Sequence, residues 1–161
     1  MKTGTRGSPA KKKSSAKKTP TFRPVVRRLD GLGVSFTLPS HWFPVETQQG
    51  AGFVSSLYGD REERAYLEVL RIDVPAEQLD EAYARARRSV LGEDDPARLS
   101  PVTAPLASGV GTTVESETLR TYVEIYPLAS ALLRVRVQGV GETFEAAREE
   151  YAAVRASLVE S

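Results

Sequence analysis

Gly33-Val34-Ser35-Phe36-Thr37-Leu38-Pro39-Ser40-His41-Trp42 decides how the rest of this chain is read. Val34, Phe36 and Leu38 alternate with Ser35 and Thr37, the period-two pattern of a strand with one buried face. Pro39 lacks the N–H that a ladder needs and ends the strand. Trp42, just beyond, is a large apolar anchor at the strand exit, and it is read as buried and structural. The apolar face of this strand requires a covering layer, and the rest of the chain supplies candidates for it.

Residues 53–58 and 65–74 also favour strand, with a polar turn between them. In the second, Leu67 and Val69 point to one side and Leu70 and Ile72 to the other, which predicts a central strand covered on both faces. Pro75 opens a helix to about residue 91, with Leu79, Ala82, Tyr83, Ala86 and Val90 on one stripe. Acids near its start and arginines near its end complement the helix dipole, and Gly92 is a stop. Residues 102–107 read as a short strand and Gly109-Val110-Gly111 as a turn. Residues 112–126 favour strand but lack turn residues, which leaves open whether they form one strand or two. A hairpin turn over 127–130 leads into a strand over 132–138. Leu133, Val135 and Val137 take one face there, and Arg134, Arg136 and Gln138 the other. The last helix, about 142–158, carries Phe144, Ala147, Tyr151, Val154 and Leu158 on one stripe.

Three places in this pattern resemble the PsbP-like family. That family includes the extrinsic oxygen-evolving protein of photosystem II, a eukaryotic Ran-binding protein and bacterial chaperones of type VI secretion effectors. The run Gly33 to Trp42 is similar to the family's opening of a strand, Leu-Pro, two further residues and Trp. The strand followed by a helix over 70–91 fits its order of elements. The ending, through Phe144-Glu145 to Ser157-Leu158, resembles its terminal strand and closing helix. The resemblance covers about residues 30–160. It implies an α/β (α+β) fold, in which an antiparallel β-sheet is packed by helices in an α/β/α sandwich. It implies protein binding rather than catalysis.

Charge divides the chain differently. All six lysines lie in the first 18 residues, and the first 29 residues hold ten cations and no acid, a net +10. Residues 30–161 set 12 arginines against 21 acids, a net −9. The body therefore uses arginine alone for its cations, whereas the tail uses mostly lysine. Residues 1–24, rich in Lys, Ser, Thr, Pro and Gly, bury too little apolar surface to offset ordering entropy, and a disordered arm is expected. The domain is expected over 25–161. A basic arm on an acidic body points to phosphate-backbone binding, with Lys11, Lys12, Lys13, Lys17 and Lys18 as the nucleic-acid contacts. Phe22 is the lone aromatic of the tail, so base reading is not expected. Anionic lipid, or the acidic body itself, competes for the same charge.

Catalytic chemistry finds little support. His41 is the only histidine and there is no cysteine, so zinc and thiol chemistry lack ligands. No Gly-x-Ser-x-Gly elbow accompanies His41, which is read as a loop residue beside the tryptophan. Glu93-Asp94-Asp95 lacks the ligand spacing of a calcium loop. Glu149 and Glu150 are adjacent on a helix and diverge. The paired glycines lack the rest of a dinucleotide or P-loop fingerprint. Glu124 is expected to pair across the hairpin with Arg134 or Arg136. The sharper alternative is a polar binding surface formed with Tyr122 and Tyr126.

No catalytic residue, metal or cofactor is therefore assigned. The expectation is a non-enzymatic bacterial binding module. Its body engages a protein partner, and its tail tethers it to DNA or RNA without sequence preference. The alternative is a chaperone or adaptor of the type VI secretion effector kind, with the tail incidental. No apolar run is long enough to span a bilayer, and the basic N-terminus lacks a signal peptide's apolar stretch. A cytoplasmic location is expected.

Overall fold

Val34–Pro39 is a strand, with Val34, Phe36 and Leu38 essentially without exposed surface. The computed structural model describes residues 24–28, 31–60, 64–91 and 98–161. In chain order, β1 (Pro24–Arg28), β2 (Val34–Pro39), β3 (Phe43–Gly50), β4 (Phe53–Gly59) and β5 (Ala65–Asp73) come first. A 3₁₀ turn (Ala76–Gln78) then leads into α1 (Leu79–Leu91). Next are β6 (Ser100–Ala104), β7 (Ala107–Glu115), β8 (Arg120–Pro127), β9 (Ala131–Gly139), α2 (Gly141–Ser157) and β10 (Val159–Glu160). Among the described residues no helix is long and apolar enough to cross a membrane.

The strands form two sheets, where the resemblance implied one. The larger has seven antiparallel strands in the order β3-β4-β5-β9-β8-β7-β6, and the smaller has the order β1-β2-β10. β2 presents Val34, Phe36 and Leu38 to the same core as one face of the large sheet. There they join Leu67 and Val69 of β5, Leu133, Val135 and Val137 of β9, and Phe144, Ala147, Tyr151 and Val154 of α2. Antiparallel partners share a face, so the register fixes each row. Ser56, Val69, Val135, Glu124 and Gly111 form one continuous row on this side. The chain returns from α2 straight into β10, which pairs with Ser35 and Val34 and ties the end of the helix to β2. Gly33, in left-handed backbone at φ 71°, passes against the Arg71 guanidinium, whose Nη1 donates to the Leu32 carbonyl at 3.0 Å. That contact links β5 to the loop before β2.

α1 covers the opposite face, which makes the architecture an α/β/α sandwich with unequal layers. The α1 stripe is only half-buried, and no residue of it is fully enclosed. β5 is central in hydrogen bonding but not covered on both faces: Leu70 is half-buried and Ile72 is 40% exposed. α1 lies over β8 and β9, and it leaves the β3-β4-β5 side of its face open.

Other expectations shift. Gly109-Val110-Gly111 is no turn but the middle of β7; the chain reverses instead at residues 105–106. The reason is packing. A Cβ on Gly111 would lie 2.7 Å from the Tyr122 hydroxyl, and one on Gly109 would meet the Ile125 carbonyl and the Tyr126 ring. Both glycines make room for tyrosines of β8. Residues 112–126 are two strands, reversed at residues 116–119, where Ser116 bonds both N–H and hydroxyl to Leu119. The sequence reading gave no strand over β3.

Candidate functional site

β3 is the outer strand of the large sheet, paired on one side only, with all eight residues exposed. Its register with β4 slips between Pro44 and Glu46, a bulge that leaves Val45 unpaired. Glu46 is its only charge. Pro44 and the bulge blunt the start of this edge, but Glu46–Gly50 carries one acid and an open row of backbone groups, a template for another strand. Phe43 and Val45 flank the face of Gly59, and Phe53 and Ile72 pair across β4 and β5 on the same side. All four are more than a third exposed. The open half of the sheet thus carries an apolar surface running up to the β3 edge.

Beside it, between α1 and the sheet, lies a groove of about 590 Å³. Val74, Ile125 and Leu132 give it an apolar floor, and Ala82, Ala86 and Val90 of α1 form its wall. Arg134 reaches it from β9. The Arg134 Nη2 donates to Glu68 Oε1 at 2.8 Å, and Arg136 Nε lies 3.0 Å from the same oxygen. Two guanidinium groups therefore share one carboxylate.

Glu124 does not take part in that pairing. It has no exposed surface and lies on the other face of β8. Pro127 pairs with Leu132, so Glu124 stands opposite Val135, while Arg134 and Arg136 stand opposite Ile125 and Val123. The one-residue difference in register moves Glu124 to the core side. There its Oε1 accepts from the hydroxyls of Tyr126 at 2.6 Å and Tyr151 at 2.5 Å, and its Oε2 from Tyr122 at 2.6 Å and Arg155 Nε at 2.7 Å. Burial pushes the three tyrosines above their ordinary value, and Glu124 adds to the shift. Burial alone would lower Arg155, but the hydrogen bond and charge of Glu124 outweigh it and raise it. Tyr122 and Tyr126 are buried, so they form no polar surface with Glu124. The arrangement is a satisfied interior ion pair that fastens α2 to the sheet.

Trp42 is 3% exposed, and its indole N–H donates to Glu150 at 3.3 Å. His41 Nε2 lies 2.8 Å from the other oxygen of Glu150. The pair therefore pins the β2 exit to α2, while Glu149 faces solvent. Among the described residues, no group of three or more His, Cys, Asp or Glu is placed to hold a metal ion. The tail, with Lys11, Lys12, Lys13, Lys17 and Lys18, lies outside the described residues, as does Glu93-Asp94-Asp95. The groove and the β3 edge were missed by sequence reasoning. No local pattern in the chain signalled either.

No protein-family model matches the chain, and no curated protein does. Solved structures do. Cyanobacterial PsbP (CyanoP) from Synechocystis is 10% identical, with a TM-score of 0.61 over 98% of both chains. A protein from Bacteroides thetaiotaomicron is 18% identical, with a TM-score of 0.57 over 80% of this chain. The present chain spans only 45% of that protein's length. LpqN of Mycobacterium tuberculosis, described as involved in cell envelope biogenesis, matches at 10% identity and a TM-score of 0.43, over 87% of this chain and 91% of its own. The likeness to CyanoP shows that the fold is PsbP-like.

Proposed function

We propose that this protein is a non-enzymatic binding module of the cytoplasm. Its body takes an extended segment of a partner protein, and its tail tethers the pair to nucleic acid. The observation that carries the first half is the β3 edge: eight exposed residues, Phe43 and Val45 among them, one charge, and Phe53 beside it. A partner strand added there gains main-chain hydrogen bonds, and its alternate side chains rest on the apolar surface. The second half is supported by the confinement of all lysines to the first 18 residues, apart from an acidic body that repels polyanions.

The same apolar surface favours a second reading, a chaperone or adaptor of the type VI secretion effector kind that shields an apolar client segment. In that reading the tail is incidental.

The test is affinity capture by the full chain, with and without nuclease, beside a Val45→Lys/Gln49→Lys variant and a chain lacking residues 1–23. Lysines on an edge strand oppose strand addition without disturbing the existing ladder. A partner retained after nuclease and lost from the lysine variant, whose circular dichroism stays native, is expected. Equal capture by wild type and lysine variant would remove the edge as the binding site. A client held equally well without the tail, and no nucleic acid recovered, would favour the chaperone reading.

A further inference from the structure

The groove beneath α1 belongs to neither half of that proposal. Its volume, about 590 Å³, falls in the range of small-molecule sites. Its floor and helical wall are mostly aliphatic: Val74, Ile125 and Leu132 face Ala82, Ala86 and Val90. Three acidic side chains stand in or beside it, and each has a cationic partner. Asp73 has Arg71, Glu81 has Arg85, and Glu68 has both Arg134 and Arg136. One positive charge is left over, and it sits at Arg134 and Arg136. Arg134 also has a donor to spare. Its Nη2 holds Glu68, and about a third of its side-chain surface stays exposed where it lines the groove, so the guanidinium is open to a ligand oxygen.

We propose that this groove binds an aliphatic monocarboxylate, with the hydrocarbon chain along α1 and the carboxylate against Arg134. The single surplus charge matches a monoanion better than a phosphate dianion. A guanidinium fork suits a planar carboxylate.

Sodium decanoate, kept below its micelle concentration, is the probe, titrated into the full-length protein by calorimetry and followed by amide chemical shifts. Decanol is the control for chain burial alone. Saturable decanoate binding is expected, about tenfold or more tighter than decanol, with shifts centred on Ile125, Leu132 and Ala86. Arg134→Gln should bring the two ligands within about twofold of each other while leaving decanol binding unchanged. Ala86→Phe should block both. If Ala86→Phe does not fold, Ala82→Leu serves instead, and native amide dispersion is the check. Equal affinity of the wild type for decanoate and decanol would overturn the proposal. So would shifts centred away from these residues, or discrimination that survives Arg134→Gln. Because β3 and the tail are untouched by these variants, partner capture and nucleic-acid binding should persist in them whichever way the titration falls.

Discussion

Arg155 of α2 lays its Nη2 2.6 Å from the carboxylate of Glu124, a group on β8 with no exposed surface at all. Three tyrosine hydroxyls complete the shell of that carboxylate. The pair joins helix to sheet at the centre of the core, and it is one-sided: Arg155 keeps a quarter of its side-chain surface in solvent, Glu124 none.

Removing the solvent-side partner strands the buried one. Arg155→Met should destabilise the protein by about 3–5 kcal/mol, because Glu124 keeps its desolvation cost and loses its counter-charge. The double variant Glu124→Gln/Arg155→Met should cost less than Arg155→Met alone. Urea unfolding of the four proteins of the cycle measures the coupling, and equal costs for the single and double variants would contradict it.

Stability should fall under alkaline conditions. In the folded protein Tyr122, Tyr126 and Tyr151 are held above the ordinary value of 10.0, first by burial and then by Glu124. Above pH 10 the unfolded chain gives up these protons and the folded chain does not, so the folded state binds more protons and loses stability as pH rises. Below pH 10 the three groups leave stability flat. Ultraviolet tyrosinate titration should show Tyr122, Tyr126 and Tyr151 silent until the protein unfolds.

Gly111→Ala should destabilise by roughly 1–3 kcal/mol although it lies in a strand, where alanine is ordinarily no worse than glycine. The new methyl would press on the Tyr122 hydroxyl and disturb the Glu124 shell. Thermal melts of Gly111→Ala and Gly111→Ala/Tyr122→Phe check it: removing the hydroxyl should return part of the loss.

Trp42→Ala should cost on the order of 3–5 kcal/mol, since the ring is almost wholly enclosed between β2 and α2. His41→Ala should cost much less, because it removes one partner of a half-exposed Glu150. Chemical denaturation of both variants separates the anchor from its neighbour.

For the tail, replacing Lys11, Lys12, Lys13, Lys17 and Lys18 with glutamine should abolish binding to labelled DNA. If six or more of the ten cations in residues 1–29 contact phosphate, wild-type affinity should fall by about 10³-fold or more between 50 and 200 mM salt. Fluorescence anisotropy across the salt series is the measurement. A flat salt dependence would count against phosphate contacts.

Elements with strong one-sided patterns were legible in the chain. Val34, Phe36 and Leu38 spelled out β2, Leu133, Val135 and Val137 spelled out β9, and the stripe from Phe144 to Leu158 spelled out α2; each lies buried as its period required. Trp42 was legible as an anchor for the same reason. β3 was illegible because it is exposed on both faces and interrupted by Pro44, so it has no alternation to read and exists only by pairing with β4. The partner of Glu124 was decided by tertiary structure. Whether the hairpin pairs residue 124 with 134 or with 135 is a one-residue matter of turn length, and it sends the carboxylate to opposite faces. The glycines of β7 look like turn residues until the tyrosines beside them are in place. The groove under α1 is likewise a property of packing: a helix with small residues on its stripe, set over a sheet face that holds two arginines and one acid, leaves space that no local pattern in the chain announces.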